Sequence, residues 1–162
     1  MRLNPTVMPL TNTELALVES TYAAFSKAPR PNPDDITPHH CSECDDIRNR
    51  LSQYSVREVP VEEMVWLAES LPLLSPRALR YFLPRFVEFS LTHPDSIARD
   101  NVLYHLSAEH PNEPYWVERY AVFSSEERHA IANYLALRCT WSDAEFEKEH
   151  MERAMWLWHA KA

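Results

Sequence analysis

No glycine occurs anywhere in the 162 residues of this chain, although average usage near 7% would supply about 11. That absence removes whole classes of chemistry. A Walker phosphate loop, a dinucleotide-binding G-x-G-x-x-G turn and a G-x-S-x-G nucleophile elbow all need backbone at positive φ or pressed closely against a ligand. Type I′ and II′ hairpin turns lose their preferred residue as well, which counts against a β-rich fold. Long apolar runs are also missing: no stretch approaches the roughly 18 to 20 residues that a membrane span requires. Cysteine is sparse, with three in all. An odd number, in a chain whose start (Met1-Arg2-Leu3-Asn4-Pro5-Thr6-Val7) does not read as a secretory signal, predicts free thiols or a metal site rather than a disulfide framework. The expected location is the cytoplasm. Positive charge is in deficit, with 16 Lys and Arg against 24 Asp and Glu and a net charge of −8. Such a field repels a phosphate backbone, so no nucleic-acid partner is expected, and the lack of long apolar runs leaves no membrane expected either.

What remains is ordinary globular material, 45% apolar and 25% charged, in a length that suits one domain able to bury roughly 70% of its unfolded surface. The expectation is a single helical domain over residues 1–162. No internal repeat appears at the periods that mark solenoids. Without glycine, punctuation falls to the 13 prolines and to Asn, Asp and Ser.

Apolar periodicity divides the chain into about six to seven helices, with no competing strand pattern. A first helix starts at Thr11 or Thr13, where Thr11 and Glu14 have capping-box spacing, carries Leu15, Val18, Tyr22 and Phe25 on one stripe, and stops before Pro29. Ala28 to Pro38, with four prolines, reads as a loop. A second helix is predicted from about Pro38 to Tyr54 and a third from Val61 to Leu71. Ser75-Pro76 supplies an N-cap and first-turn proline for a fourth, with Leu79, Phe82, Phe86 and Phe89 on one face. Pro84 lies inside that helix, where it removes a backbone donor and crowds the carbonyl of Arg80, so a kink or break is expected. The kink either bends the helix around the core or opens a cleft. A fifth helix spans about Pro94 to Leu106, and a loop through Pro111 and Pro114 follows. Ser124 with Glu127 starts a sixth ending near Cys139, and Ser142 with Glu145 a seventh.

The stretch His39-His40-Cys41-Ser42-Glu43-Cys44-Asp45-Asp46 gathers the chain's densest set of chemically capable side chains. On a helix, Cys41, Cys44, Ile47, Leu51 and Tyr54 make one apolar stripe, which turns both thiols toward the core. His40 lies one turn before Cys44, so His40, Cys41 and Cys44 form a triangle suited to zinc, which takes imidazole and thiolate ligands and needs a fourth group. His39 and His105 are candidates for it, with His110 and Cys139 behind them. No second ligand pair follows at recognisable spacing, and the competing expectation is that the cysteines are small buried apolar residues. A thiol-based reading has its own mechanism, since the positive end of a helix stabilises a first-turn thiolate. The neighbouring Glu43, Asp45 and Asp46 oppose it.

Two Glu-x-x-His pairs, Glu126 with His129 and Glu147 with His150, have the helical spacing of carboxylate di-iron ligands, a spacing that chance also produces in so acidic a chain. In the last helix Phe146, His150, Met151, Ala154, Met155, Leu157 and Trp158 form an apolar face, whereas Trp156 lies on the side of Glu145, Glu149 and Glu152. An exposed tryptophan is a natural interface anchor, so Trp156 is the candidate contact for a protein partner or a second copy of the chain, the competing expectation being that neighbouring loops cover it. Lys161 suits the helix dipole.

Four stretches resemble a family of small uncharacterised bacterial proteins, a domain of unknown function. They are the His39 to Asp45 segment, Leu74-Ser75-Pro76-Arg77-Ala78-Leu79-Arg80-Tyr81-Phe82-Leu83-Pro84, Tyr104-His105-Leu106, and Phe123-Ser124-Ser125-Glu126-Glu127. The resemblance covers about residues 39–137, leaves the first and last helices outside, and implies a bacterial, all-helical single domain. It brings no activity, substrate or catalytic residue. The fold expected is therefore an all-α bundle. The function expected is a non-enzymatic protein–protein interaction module without cofactor, with zinc or thiol chemistry at His40, Cys41 and Cys44 as the alternative.

Overall fold

The computed structural model describes residues 7–107, 112–142 and 145–160, in which eight α-helices and three short 3₁₀ turns account for the regular structure and no strand occurs. The helices are α1 (Asn12–Ala24), α2 (Ser42–Leu51), α3 (Val61–Leu67), α4 (Pro76–Thr92), α5 (Ile97–Leu106), α6 (Pro114–Ala121), α7 (Ser125–Cys139) and α8 (Glu145–Ala160). The 3₁₀ turns are Pro33–Asp35, Val56–Glu58 and Leu71–Leu73.

Local chemistry sets the boundaries. Thr11 and Glu14 close a reciprocal capping box on α1, and Ser124 with Glu127 does the same on α7, as the spacing predicts. Ser75 caps α4 with Pro76 at its first position. The second helix ends at Leu51 rather than Tyr54 and the fifth begins at Ile97 rather than Pro94; three other differences have a local cause. The second helix starts at Ser42 rather than Pro38, because Cys41 adopts extended backbone (φ −143°, ψ 167°) and serves as its N-cap. The third ends at Leu67, and a 3₁₀ turn containing Pro72 takes up the remainder. The loop expected through Pro114 contains α6, in which Pro114 occupies the first turn, where its missing N–H costs nothing.

α4 forms the middle of the bundle. It runs unbroken through the buried Pro84 and packs against α1, α3, α5 and α6, while α7 packs against α1, α5 and α8. Leu79, Phe82, Phe86 and Phe89 of α4 are all essentially buried. They join Val18, Tyr22 and Phe25 of α1, Ile47 and Leu51 of α2, and Ile131 and Leu135 of α7 in one apolar core. Leu15, at the open end of the α1 stripe, stays half exposed. Pro84 also lines a cleft of about 500 Å³ shared with Tyr22, Arg57 and Tyr81. The polar groups there satisfy one another: Arg57 lies over the Tyr22 ring at 3.8 Å and pairs with Glu19, and the Tyr22 hydroxyl donates to Glu88 at 2.6 Å.

A second, aromatic cluster ties α8 to this core. Trp158 donates its indole N–H to the Leu106 carbonyl at 2.7 Å and meets Tyr120 and Phe123 edge-on, at 4.8 and 5.5 Å between centroids. α6, absent from the sequence expectation, supplies Trp116 and Tyr120 to the same cluster. Among the described residues no helix is long and apolar enough to cross a membrane.

Candidate functional site

The His39 to Asp46 segment is organised by Arg48, a residue the sequence reading passes over. Its Nη1 donates to the Thr37 hydroxyl and the His39 carbonyl, both at 2.7 Å, and its Nη2 meets His40 Nδ1 at 2.9 Å and the Asp45 carboxylate. Arg48 is only 8% exposed, and its guanidinium holds residues 37–40 against α2. The signal for it was Asp45-x-x-Arg48, an i,i+3 ion pair on the face beside the cysteine stripe.

The two cysteines are split by their environments. Cys44 is completely buried, whereas Cys41 is exposed, so only one of the two expected core thiols is in the core. The physical reason is the cap: Cys41 Sγ accepts the Cys44 backbone N–H at 3.4 Å, a position outside the helical stripe. Donation from the Cys44 N–H, together with that from the Cys44 thiol, holds the Cys41 thiol below its ordinary pKa. Burial pushes the Cys44 thiol up, and the neighbouring Cys41 sulfur adds to that.

The remaining ligand candidates stand apart. His40 precedes α2, with its side chain 79% exposed and its Nδ1 directed at Arg48 and Asp45. His39 is exposed and engages Arg48 through its carbonyl. His105 is buried in the aromatic cluster, its ring 5.4 Å from Trp116 and 5.5 Å from Tyr104, with Nδ1 unpartnered. Burial, with Arg119 beside it, drives its pKa down to about 4. Cys139 ends α7 and its thiol is pushed up by burial. Among the described residues no three His, Cys, Asp or Glu side chains group as a metal ion requires. His110, Lys161 and the side chain of Phe146 lie outside the described residues. In the Glu-x-x-His pairs, His129 faces the His159 ring at 5.5 Å, and Glu147 accepts from the Ser142 hydroxyl at 2.6 Å.

α8 presents two different faces. Met151, Ala154 and Trp158 are buried, with Trp158 2% exposed, while Trp156, two residues earlier, is 67% exposed. Glu145, Glu149 and Glu152 flank it and are exposed, and they outnumber Arg153, the nearest exposed cation on the helix. Covering this indole would remove from water one of the largest apolar side chains the fold leaves outside.

No curated protein matches this chain, and no solved structure does. Residues 35–162 match the Family of unknown function (DUF6714). The match is wider than the span the sequence motifs suggested and brings α8, with Trp156 and Trp158, inside the family's extent, while α1 stays outside. On that match the chain belongs to the Family of unknown function (DUF6714).

Proposed function

We propose that the protein is a non-enzymatic interaction module that docks a basic partner protein on the outward face of α8. The observation carrying this reading is Trp156, 67% exposed on a helix whose opposite face is locked into the core by Trp158. A rigid helix presenting one large amphipathic side chain has the form of an interface hot spot, because little conformational entropy is lost when the indole is covered. The charge pattern selects the partner. A two-fold pairing of this face with itself would set the carboxylates of Glu145, Glu149 and Glu152 against their own copies, so the complementary surface is an apolar pocket rimmed by Lys or Arg on a different protein. The test is affinity capture at low and high salt with wild-type protein and a Trp156→Ala variant. A basic protein retained by the wild type, released by salt and absent from the variant is the expected result. Identical retention by both proteins rejects the reading.

A second reading rests on the unequal thiols. Cys41 is exposed with a depressed pKa, and Cys44 waits buried three residues on, the arrangement of an attacking and a resolving thiol. With a small disulfide as oxidant, the Cys41 thiolate attacks one sulfur and releases the other as a thiolate. Cys44 then gives up its proton and displaces the second thiolate, leaving a Cys41–Cys44 disulfide. Loss of two thiols per chain on exposure to oxidised glutathione supports this reading; a stable glutathione adduct on Cys41 without disulfide closure rejects it. Elemental analysis of untagged protein separates it from the zinc alternative, which predicts near-stoichiometric metal.

A further inference from the structure

In a chain with net charge −8, three arginines meet at one cleft. Arg30 of the proline-rich loop and Arg77 and Arg80 of α4 line a cleft of about 460 Å³, accompanied by a single carboxylate, Asp35, and by the apolar surfaces of Pro31 and Val122. We infer that this cleft binds the phosphate group of a small phosphorylated organic molecule.

Two of the three guanidinium groups are held in place by the fold. Arg80 donates from Nε to both carboxylate oxygens of Glu127 at 2.9 Å, which fixes the plane of its guanidinium and leaves its terminal nitrogens free of that pair. Arg30 is pinned by donation from Nη2 to the Ser52 carbonyl at 2.7 Å. Asp35 is turned to other work: its side chain accepts from Asn32 at 3.1 Å and its carbonyl accepts from the Ser75 hydroxyl at 2.5 Å. Arg77 is exposed in the first turn of α4, has no side-chain partner among the described residues, and adds its charge to the positive end of that 17-residue helix. Arginine forks match phosphate oxygens bidentately; with Glu127 offsetting Arg80 and Asp35 in the lining, the unpaired Arg77 leaves the cleft with positive charge for an anion. The volume falls within the roughly 300 to 1,000 Å³ of small-molecule sites. It exceeds what a phosphate group needs, leaving Pro31 and Val122 to contact the attached organic part. None of these residues belongs to α8, so the inference stands apart from the docking reading.

The test is calorimetric titration of the full chain, at fixed ionic strength, with phenyl phosphate and with benzoate, which share a ring and differ in the anion. Phenyl phosphate is expected to bind with a submillimolar Kd, at least about fivefold tighter than benzoate. Arg77→Glu, at an exposed position, should leave the thermal unfolding curve in place and weaken phenyl phosphate at least about tenfold, and Arg30→Gln should weaken it by a smaller factor. No binding of phenyl phosphate at millimolar concentration, equal or tighter binding of benzoate, or wild-type affinity in both variants would overturn the inference.

Discussion

Arg80 and Glu127 form a two-pronged ion pair in which a single nitrogen, Arg80 Nε, reaches both carboxylate oxygens at 2.9 Å and so ties the second turn of α4 to the first turn of α7. The two partners differ in access to water: the Glu127 side chain is 1% exposed and that of Arg80 23%. Removing Arg80 strands a buried carboxylate, while neutralising Glu127 leaves an arginine that still reaches solvent. Arg80→Ala is therefore expected to cost roughly 3 to 5 kcal/mol of unfolding free energy. Glu127→Gln should cost only about 1 to 2 kcal/mol, because its amide oxygen keeps the bond from the Ser124 backbone N–H. Urea denaturation of the two variants measures the order, and the reverse order would contradict the burial argument.

The three thiols should react in sequence. Cys41 is exposed with its pKa held down by the Cys44 N–H, Cys139 is partly covered with its pKa raised by burial, and Cys44 is enclosed. Iodoacetamide near neutral pH, followed by peptide mapping, should label Cys41 first, Cys139 more slowly, and Cys44 only when the chain unfolds. Early labelling of Cys44 in the native protein would show that the cap geometry at Cys41 is wrong.

His105 makes the fold sensitive to mild acid. Its folded pKa is about 4 against an ordinary 6.5, so between those values the unfolded chain binds a proton that the folded chain refuses. Stability is fully present above about pH 6.5 and is lost as pH falls toward 4, by about 3 kcal/mol for this group alone. His93, stacked on Phe89 and also depressed by burial, adds in the same direction. A His105→Phe variant should show a flatter stability profile between pH 6.5 and 5, where few carboxylates titrate. A slope unchanged from the wild type would remove His105 as its source.

Trp156 should dominate the quenchable fluorescence of the protein. Trp116 and Trp158 are 6% and 2% exposed, Trp66 is partly covered and lies 4.3 Å beneath the Arg50 guanidinium, and Trp141 is 38% exposed. Acrylamide quenching should fall clearly in Trp156→Phe, with the melting temperature within about 1 °C of wild type, as expected for an exposed position. Loss of stability without a change in quenching would place the indole inside the fold.

The bundle was readable wherever capping chemistry and apolar spacing agree, as at Thr11 with Glu14, Ser75-Pro76, and Ser124 with Glu127. α6 escaped because Pro114 carries the same letter whether it breaks a helix or opens one, and the surrounding loop composition favoured the break. The cysteine segment was half legible. Spacing places Cys41 on the core stripe, but a residue recruited as N-cap leaves helical geometry, and its side chain turns back toward the chain's own N–H groups. Arg48 shows a further limit, because its partners Thr37, His39 and His40 come from a loop whose path has no periodicity to read. The helical wheel places Trp156 opposite Met151, Ala154 and Trp158, but it cannot say whether a loop covers that face, and the 67% exposure of the indole comes from the fold. The arginine cleft was not, because Arg30 lies 47 residues from Arg77 in sequence and only the fold brings them to one cleft.

Photo-crosslinking from position 156 tests the docking account most directly. A photoreactive phenylalanine analogue in place of Trp156 keeps an aromatic ring on the outer face of α8, and the same group in place of Leu15, another exposed apolar residue on a different helix, serves as the control. The account predicts one discrete adduct with a basic protein from position 156, lost when Glu149 and Glu152 are both changed to Lys, and no such adduct from position 15. Adducts that are the same from both positions, or that survive the charge reversal, would contradict it.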